Sequence, residues 1–259
     1  MSEQAKLKVG VLVDNLGLPI REGIAKAAEM GADGFQVFVT GGEMLAANMG
    51  AAQRRDFMKR YQDLGLMLAA LCGDFGKNFG NPDHAAAATS LLEGAVDQAL
   101  DLGTRVVTTH IGGVHDDPSD PVWEVMPRTL NEIGKYASRR SVYLATETGI
   151  ESGATLRKML EKLDTDGVRV NFDPANLVMN GYDHLQAARD LAPYVVHTHA
   201  KDGRKGVGEL PLGQGDVNYP EYVALWRTLG YDGFYTIERE GGEDRVGDMK
   251  RAVGLLRSL

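Results

Sequence analysis

The chain repeats one pattern of hydrophobic and polar positions along its whole length. In each repeat a short apolar, largely β-branched run is followed by a loop rich in Gly, Asn, Asp or Pro, and then by a segment with helical spacing. Strands are predicted at residues 7–14, 34–40, 66–72, 105–111, 142–148, 168–174, 195–201 and 233–239. Helices are predicted at residues 21–31, 51–65, 85–103, 122–140, 152–164, 184–193, 219–229 and 243–258.

Strands that alternate with helices favour parallel pairing through right-handed crossovers. Eight such units in 259 residues match the size of a closed (β/α)8 barrel of the α/β class. An open doubly wound sheet is the alternative, but no GxGxxG follows the first strand. We therefore predict one TIM barrel domain over residues 1–259, with its chemistry at the carboxyl ends of the strands.

Polar side chains fall on one face of the predicted strands. Asn171 and Asp173 share a face of the sixth strand, and His197, His199 and Lys201 share a face of the seventh. The opposite faces are mainly apolar, as positions covered by helices must be. We therefore expect the polar faces to point into the barrel.

Within each inward set the ionisable residue comes last, at the carboxyl end of the strand. Five strands end in this way, with His110, Glu147, Asp173, His199 and Glu238. The last four belong to neighbouring strands, which lie about 4.8 Å apart in a sheet. Three carboxylates crowded together would resist ionisation unless a cation joined them.

We therefore predict that Glu147, Asp173, His199 and Glu238 bind one divalent metal ion. The mostly oxygen ligand set suits Mn²⁺ or Mg²⁺, with Zn²⁺ and Co²⁺ as alternatives. The competing interpretation is that each residue is a strand-end polar group bonded to a neighbouring loop. For His110, three roles stay open: orienting a substrate, binding a second ion, or bonding to a loop carbonyl.

Composition narrows the range of partners. The formal net charge of −8 and the pI near 5.3 disfavour binding to a phosphate backbone, and so favour a small molecule over nucleic acid. The N-terminal MSEQAKLK has no apolar run of signal-peptide length, and no stretch of apolar residues is long enough to span a membrane. We expect a cytoplasmic protein. The single cysteine, Cys72, is expected in the core.

Several phrases at these strand ends resemble the xylose isomerase-like barrel superfamily, and the likeness covers almost the whole chain. They are TTHIGG, ATETG, VNFDPANLVMNG, HTHAKDG, PLGQGDVNY and YTIERE. The superfamily includes ketose 3-epimerases, hydroxypyruvate isomerases, inosose dehydratases and type IV apurinic endonucleases. The resemblance implies a divalent metal on the four predicted ligands. Members often form dimers or tetramers, which implies a homo-oligomer.

Two departures from the superfamily patterns separate its subgroups. The endonucleases have Asp-x-x-His and Asp-x-His where this chain has Asp173 to Asn176 and Asp216 to Asn218. The histidines of a three-zinc cluster are therefore missing, which argues against DNA repair. Ketose 3-epimerases carry a substrate-contacting histidine where Asn176 stands, although an asparagine can still bond a sugar hydroxyl.

The resemblance implies a metal-dependent isomerase or epimerase of a small sugar or sugar acid. In the family's epimerases, the two glutamates matching Glu147 and Glu238 exchange the substrate proton through a metal-stabilised enediolate. Candidates for contacts to the substrate are His110, Asn176, Lys201, Arg204 and Glu240. The alternatives are dehydration of a keto-polyol, as in inosose dehydratases, and a sugar-binding barrel without catalysis.

Overall fold

The computed structural model describes residues 6–259 and contains the predicted closed barrel. The barrel strands are β1 (Lys8–Leu12), β2 (Gly34–Phe38), β3 (Met67–Cys72), β4 (Val106–Thr109), β5 (Tyr143–Glu147), β6 (Val168–Phe172), β7 (Val195–Ala200) and β10 (Phe234–Ile237). They pair in parallel in the order β1-β10-β7-β6-β5-β4-β3-β2, and β2 closes the barrel against β1. All eight predicted strands are therefore confirmed as neighbours in chain order.

Helices cover the outside of the barrel. They are α1 (Ile20–Glu29), α2 (Ala51–Asp63), α3 (Pro82–Asp101), α4 (Val122–Arg139), α5 (Gly153–Leu160), α6 (Pro174–Asn180), α7 (His184–Leu191), α8 (Tyr219–Thr228) and α9 (Arg245–Arg257). Eight of them correspond to the predicted helices, with ends that differ by a few residues. Across residues 6–259, no helix combines the length and the apolar character needed to cross a membrane.

One α-helix and one hairpin near the carboxyl ends of the strands were not predicted. The helix α6 follows β6 directly, where Asp173 accepts hydrogen bonds from the backbone N–H groups of Ala175 and Asn176 and thereby caps the helix. A short antiparallel hairpin, β8 (Asp202–Arg204) and β9 (Gly208–Leu210), follows β7. Both are too short for a periodic pattern to show them in the sequence.

The outward faces of β6, β7 and β10 pack against α8. The ring of Phe172 lies 5.9 Å from Tyr222 and 5.2 Å from Trp226, measured between centroids. Thr198 bonds the Tyr222 hydroxyl from the same side of the sheet. These contacts fix which face of each strand is outward, and so turn Asn171, Asp173 and His199 toward the barrel interior.

Gly167 lies where the start of β6 passes α4, and a side chain there is not tolerated. A Cβ at Gly167 would lie 1.9 Å from the carbonyl oxygen of Gly134, a backbone atom of α4. We expect Gly167→Ala to lower the free energy of unfolding by about 3 kcal/mol, because the strand and helix must move apart. Urea denaturation followed by circular dichroism measures this.

Gly254→Ala is the matched control. Gly254 lies in α9, and a Cβ there would meet nothing within 4 Å. Alanine is favoured over glycine in a helix by about 1 kcal/mol, so this variant should be as stable as the wild type or more so. Equal stability of the two variants would contradict the close approach of β6 and α4.

Candidate functional site

Four ionisable side chains meet at the carboxyl end of the barrel. Glu147 ends β5, Asp173 follows β6, His199 lies in β7, and Glu238 follows β10. One ligand atom from each lies within 4.8 Å of the others, and all four residues are buried. The structure thus brings together the whole set that the sequence predicts as metal ligands.

His199 lies among the three carboxylates. Its Nδ1 is 3.0 Å from Glu238 Oε2, 3.5 Å from Glu147 Oε2 and 3.7 Å from Asp173 Oδ2. Burial alone would lower the pKa of His199, but the charges of Glu238 and Glu147 raise it well above its usual value. Without a metal ion, the imidazolium therefore supplies positive charge to the cluster.

Lys201 supplies the second positive charge. Its buried Nζ lies 3.1 Å from Glu238 Oε2, 3.9 Å from Asp173 Oδ2 and 2.6 Å from Glu240 Oε2. Burial disfavours its charged form, but the carboxylates outweigh this effect and raise the pKa of Lys201. Burial would likewise raise the pKa of Asp173, yet the nearby imidazole of His199 and the charge of Lys201 lower it to about 2.

The cluster fits a divalent cation by two observations. Asp173 uses Oδ1 to accept the N–H groups that begin α6, whereas its Oδ2 is buried and has no hydrogen-bond partner within residues 6–259. Buried polar atoms rarely stay unpartnered, so this oxygen is oriented for a ligand. Three carboxylates and one imidazole also form the kind of set that Mn²⁺ or Mg²⁺ accepts.

Two asparagine amides hold the carboxylate of Glu147. Asn171 donates to Oε2 at 3.0 Å, and Asn176 donates to Oε1 at 2.9 Å. Asn176, predicted as a substrate contact, thus also fixes the orientation of a cluster carboxylate. Its place on the first turn of α6 explains how it reaches Glu147.

Gln36 orients the imidazole of His199, a role that sequence reasoning missed. Its Oε1 lies 3.1 Å from His199 Nε2 and 3.1 Å from His197 Nε2. An amide oxygen only accepts, so His199 carries hydrogen on Nε2 and directs Nδ1 to the carboxylates. The signal in the sequence is weak, since Gln36 is one polar residue within the apolar run of β2.

His110 contacts a carboxylate rather than a loop carbonyl. Its Nδ1 lies 2.8 Å from Asp74 Oδ2, and its Nε2 lies 3.6 Å from Glu147 Oε1. The charge of Glu147 and the hydrogen bond to Asp74 raise the pKa of His110 to about 9. Half of the side chain is exposed at the barrel mouth, where it places a proton donor beside the cluster.

The remaining predicted substrate contacts lie at the rim. The guanidinium of Arg204 is half exposed and pairs with Asp216 at 2.8 Å. The exposed carboxylate of Glu240 pairs with Lys201, and its backbone N–H donates to Glu209. Both side chains are therefore held by partners near the mouth.

Asp202 organises the segment after β7, which the sequence did not indicate. This buried carboxylate accepts backbone N–H groups at 2.8–3.1 Å from Gly203 in β8 and from three residues that follow the hairpin, Gly213, Gly215 and Val217. A Cβ at Gly215 would lie 2.1 Å from Asp202 Oδ1, so the chain needs glycine there. The loop that continues from His199 and Lys201 is thus fixed by a single side chain.

Comparison with known proteins agrees with this geometry. A profile of the family described as xylose isomerase-like TIM barrel matches residues 24–259. The chain belongs to this family. The family resemblance inferred from the strand-end motifs is therefore confirmed.

Two solved structures show how closely the xylose isomerase-like fold is kept. A xylose isomerase domain protein from Planctomyces limnophilus superposes with a TM-score of 0.83 at 24% identity, covering 99% of this chain and 97% of that chain. A D-psicose 3-epimerase, solved in the presence of D-fructose, gives a TM-score of 0.79 at 17% identity, covering 97% and 99%. At these identities the likeness shows the fold.

Among curated xylose isomerase-like relatives, an inosose dehydratase from Bacillus thuringiensis is 24% identical over 175 residues. The match covers 54% of this chain and 59% of the dehydratase, so the chain spans less than two thirds of that protein. Epimerases and dehydratases thus both occur among the similar proteins.

Removing one carboxylate from the cluster tests whether it holds metal. Asp173→Asn keeps an oxygen that can cap α6 but removes a charged ligand, so we expect Mn²⁺ affinity to fall about 100-fold or more. Calorimetric titration of the metal-free protein with MnCl₂ measures this affinity. In the wild type, Mn²⁺ at 100 times its Kd should add about 2.7 kcal/mol to the free energy of unfolding.

Asp216→Asn removes the same charge from the rim, where Asp216 pairs with Arg204. Its Mn²⁺ affinity should stay within about twofold of the wild type, since rim charges are screened by solvent. Comparable losses in the two variants would mean that general charge, rather than the buried cluster, attracts the ion.

Proposed function

We propose that this protein is a divalent-metal-dependent isomerase or epimerase of a small sugar or sugar derivative. The observation that carries the proposal is the placement of two glutamates, Glu147 and Glu238, in one buried cluster at the barrel mouth. Both have a carboxylate oxygen close to His199 Nδ1, and so they face a common point. A substrate bound at that point would lie between two bases.

The reaction must remove a proton from a carbon next to a carbonyl group. A divalent ion at this site would act as a Lewis acid on the carbonyl and hydroxyl oxygens and stabilise the charge that develops there. One glutamate accepts the proton. Delivery of a different proton to the same carbon by the opposite glutamate, in its protonated form, inverts the centre. Return of the abstracted proton to the neighbouring carbon interconverts aldose and ketose.

The chain's own residues prepare the two bases differently. Both oxygens of Glu147 accept amide hydrogen bonds, which fix the plane of its carboxylate. Glu238 lies beside Lys201, whose ammonium group can also donate to a substrate oxygen. We assign Glu147 and Glu238 as the catalytic pair.

The substrate contacts surround this pair. We assign hydroxyl binding to His110, Asn176, Lys201, Arg204 and Glu240, which lie within or around the mouth. These groups are hydrogen-bond donors and acceptors, as polyol recognition requires.

Dehydration of a keto-polyol is the second candidate, and His110 favours it. The reaction begins with the same proton removal, but a hydroxyl group on the next carbon then leaves with a proton. His110 is held by Asp74, its pKa is raised to about 9, and it lies 3.6 Å from Glu147. It can therefore deliver the proton that the departing hydroxide needs. The likeness to inosose dehydratases supports this candidate independently.

Exchange of substrate hydrogen with solvent tests the shared step. We incubate Mn²⁺-loaded protein in D₂O with ketoses and inosose, and follow deuterium at the carbon next to the carbonyl by NMR. Exchange should fall at least about 100-fold in Glu147→Gln and in Glu238→Gln, because a general base contributes about 10²–10⁴-fold. Glu161→Gln, which alters an exposed ion pair with Arg157, should exchange at the wild-type rate.

Mass spectrometry of the products separates the two candidates. An isomerase or epimerase conserves substrate mass, whereas a dehydratase product is lighter by one water. Absence of both exchange and product with every substrate, in protein shown to bind Mn²⁺, would refute both.

A further inference from the structure

A second feature of the mouth is a cavity beside the cluster, which the proposed proton transfer does not use. Its volume is about 180 Å³, and it lies between the loops that follow β4 and β5. Glu147 belongs to both the cluster and the cavity wall, so the two spaces adjoin. The other lining residues are His110, Ile111, Gly112, Gly113, Gly149, Ile150 and Glu151.

The size of the cavity suits part of a substrate. Water occupies about 30 Å³ per molecule in the liquid, so the cavity has room for about six water-sized groups. Three carbons with their three hydroxyls need about this space. A sugar whose carbonyl end lies at the cluster could therefore place its remaining carbons here.

The charges of the lining favour a neutral occupant. Two carboxyl groups, Glu147 and Glu151, line the cavity, whereas no lysine or arginine does so among residues 6–259. The one lining residue that can carry positive charge is His110, and Asp74 already pairs with it at 2.8 Å. A phosphate or carboxylate group would lie against two carboxyl groups, and the only positive charge in the lining formed by residues 6–259 is that of His110, which Asp74 already offsets.

Glu151 is a buried carboxyl group that does not belong to the four-residue cluster, so the cluster does not account for its burial. It is 7% exposed, and burial raises the pKa of its carboxyl group, an effect that the nearby backbone N–H groups of Val114, Gly149 and Glu151 itself partly offset. Val114 and Gly149 belong to the two loops, so the carboxyl group of Glu151 lies where the two walls of the cavity meet. Because Glu151 lines the cavity, its carboxyl group can accept a hydrogen bond from a hydroxyl there.

We propose that this cavity is the subsite for the uncharged polyhydroxyl end of the substrate, with Glu151 accepting a hydrogen bond from one hydroxyl. The inference rests on the proposed function and narrows it to ketoses and polyol ketones without a phosphate or carboxylate at that end. Ile150, whose side chain is 59% exposed, forms the outer wall and lies over Gly113.

The test compares D-fructose with D-fructose 6-phosphate, which differ in the charge of the distal end. Calorimetric titration of Mn²⁺-loaded wild-type protein should give at least about tenfold tighter binding of D-fructose, the size of effect that one nearby charge has on a neighbouring group. Ile150→Lys adds a cation at the cavity wall, and should reduce this preference by about tenfold by improving the binding of the phosphate ester.

Val207→Lys is the matched control. Val207 is 63% exposed in the turn of the hairpin and does not line the cavity, so the same change of charge should leave the preference unaltered. A second variant, Gly149→Ala, adds a methyl group 3.9 Å from a Glu151 oxygen without strain, and should weaken D-fructose binding several-fold. Its control is Gly41→Ala, at a loop glycine with open space around it.

Equal affinity of the wild type for the two sugars, or no binding of either, would overturn the proposal. So would an unchanged preference in Ile150→Lys, or an equal change in Val207→Lys. Deuterium exchange keeps the two proposals apart, because a protein that prefers D-fructose but exchanges no hydrogen would retain the subsite and lose the proposed reaction.

Discussion

The arrangement of side chains at the barrel mouth depends on three buried carboxylates, whose ligand atoms lie within 4.8 Å of one another. Like charges at such distances cannot all ionise without compensation. In this structure the imidazolium of His199 and the ammonium group of Lys201 provide the compensating positive charge. A divalent ion would supply two positive charges at a single point. Asn171 and Gln36 help to keep the crowded side chains in place, because each fixes the direction of a cluster side chain, Glu147 and His199 respectively, by a hydrogen bond.

The barrel imposes this crowding, because parallel strands bring their carboxyl ends to one rim. Epimerisation, isomerisation and dehydration all begin with removal of a proton beside a carbonyl, so one cluster can serve all three. We therefore expect the outcome to depend on the second step, and so on the donors around the substrate. In our proposal those donors are His110 with its partner Asp74 and Lys201 with its partner Glu240. The proposed subsite in the adjoining cavity would then limit the chemistry of the far end of the substrate.

The barrel and the cluster follow from the order of residues alone. The spacing of apolar residues that marks a strand or a helix lies within a short stretch of sequence. Because side chains alternate between the two faces of a strand, the sequence also predicts that Asp173 and His199 face the barrel interior. When the parallel strands close into a barrel, the last inward-facing residue of each strand lies at the same rim, and neighbouring residues there come close together. The same reasoning does not give the ends of the helices, the short helix α6 or the hairpin, because these depend on caps and single hydrogen bonds rather than on period.

The residues that support the site emerge only when the chain is packed. Gln36 faces His199 across the interior because the barrel closes, and the two are separated by 163 positions in the chain. Asp74 meets His110, and Glu151 lies beside the cavity between two loops, in positions that no spacing in the sequence encodes. A single polar residue in an apolar strand or in a loop has many potential partners. Which of these potential partners comes within contact distance depends on how the whole chain packs.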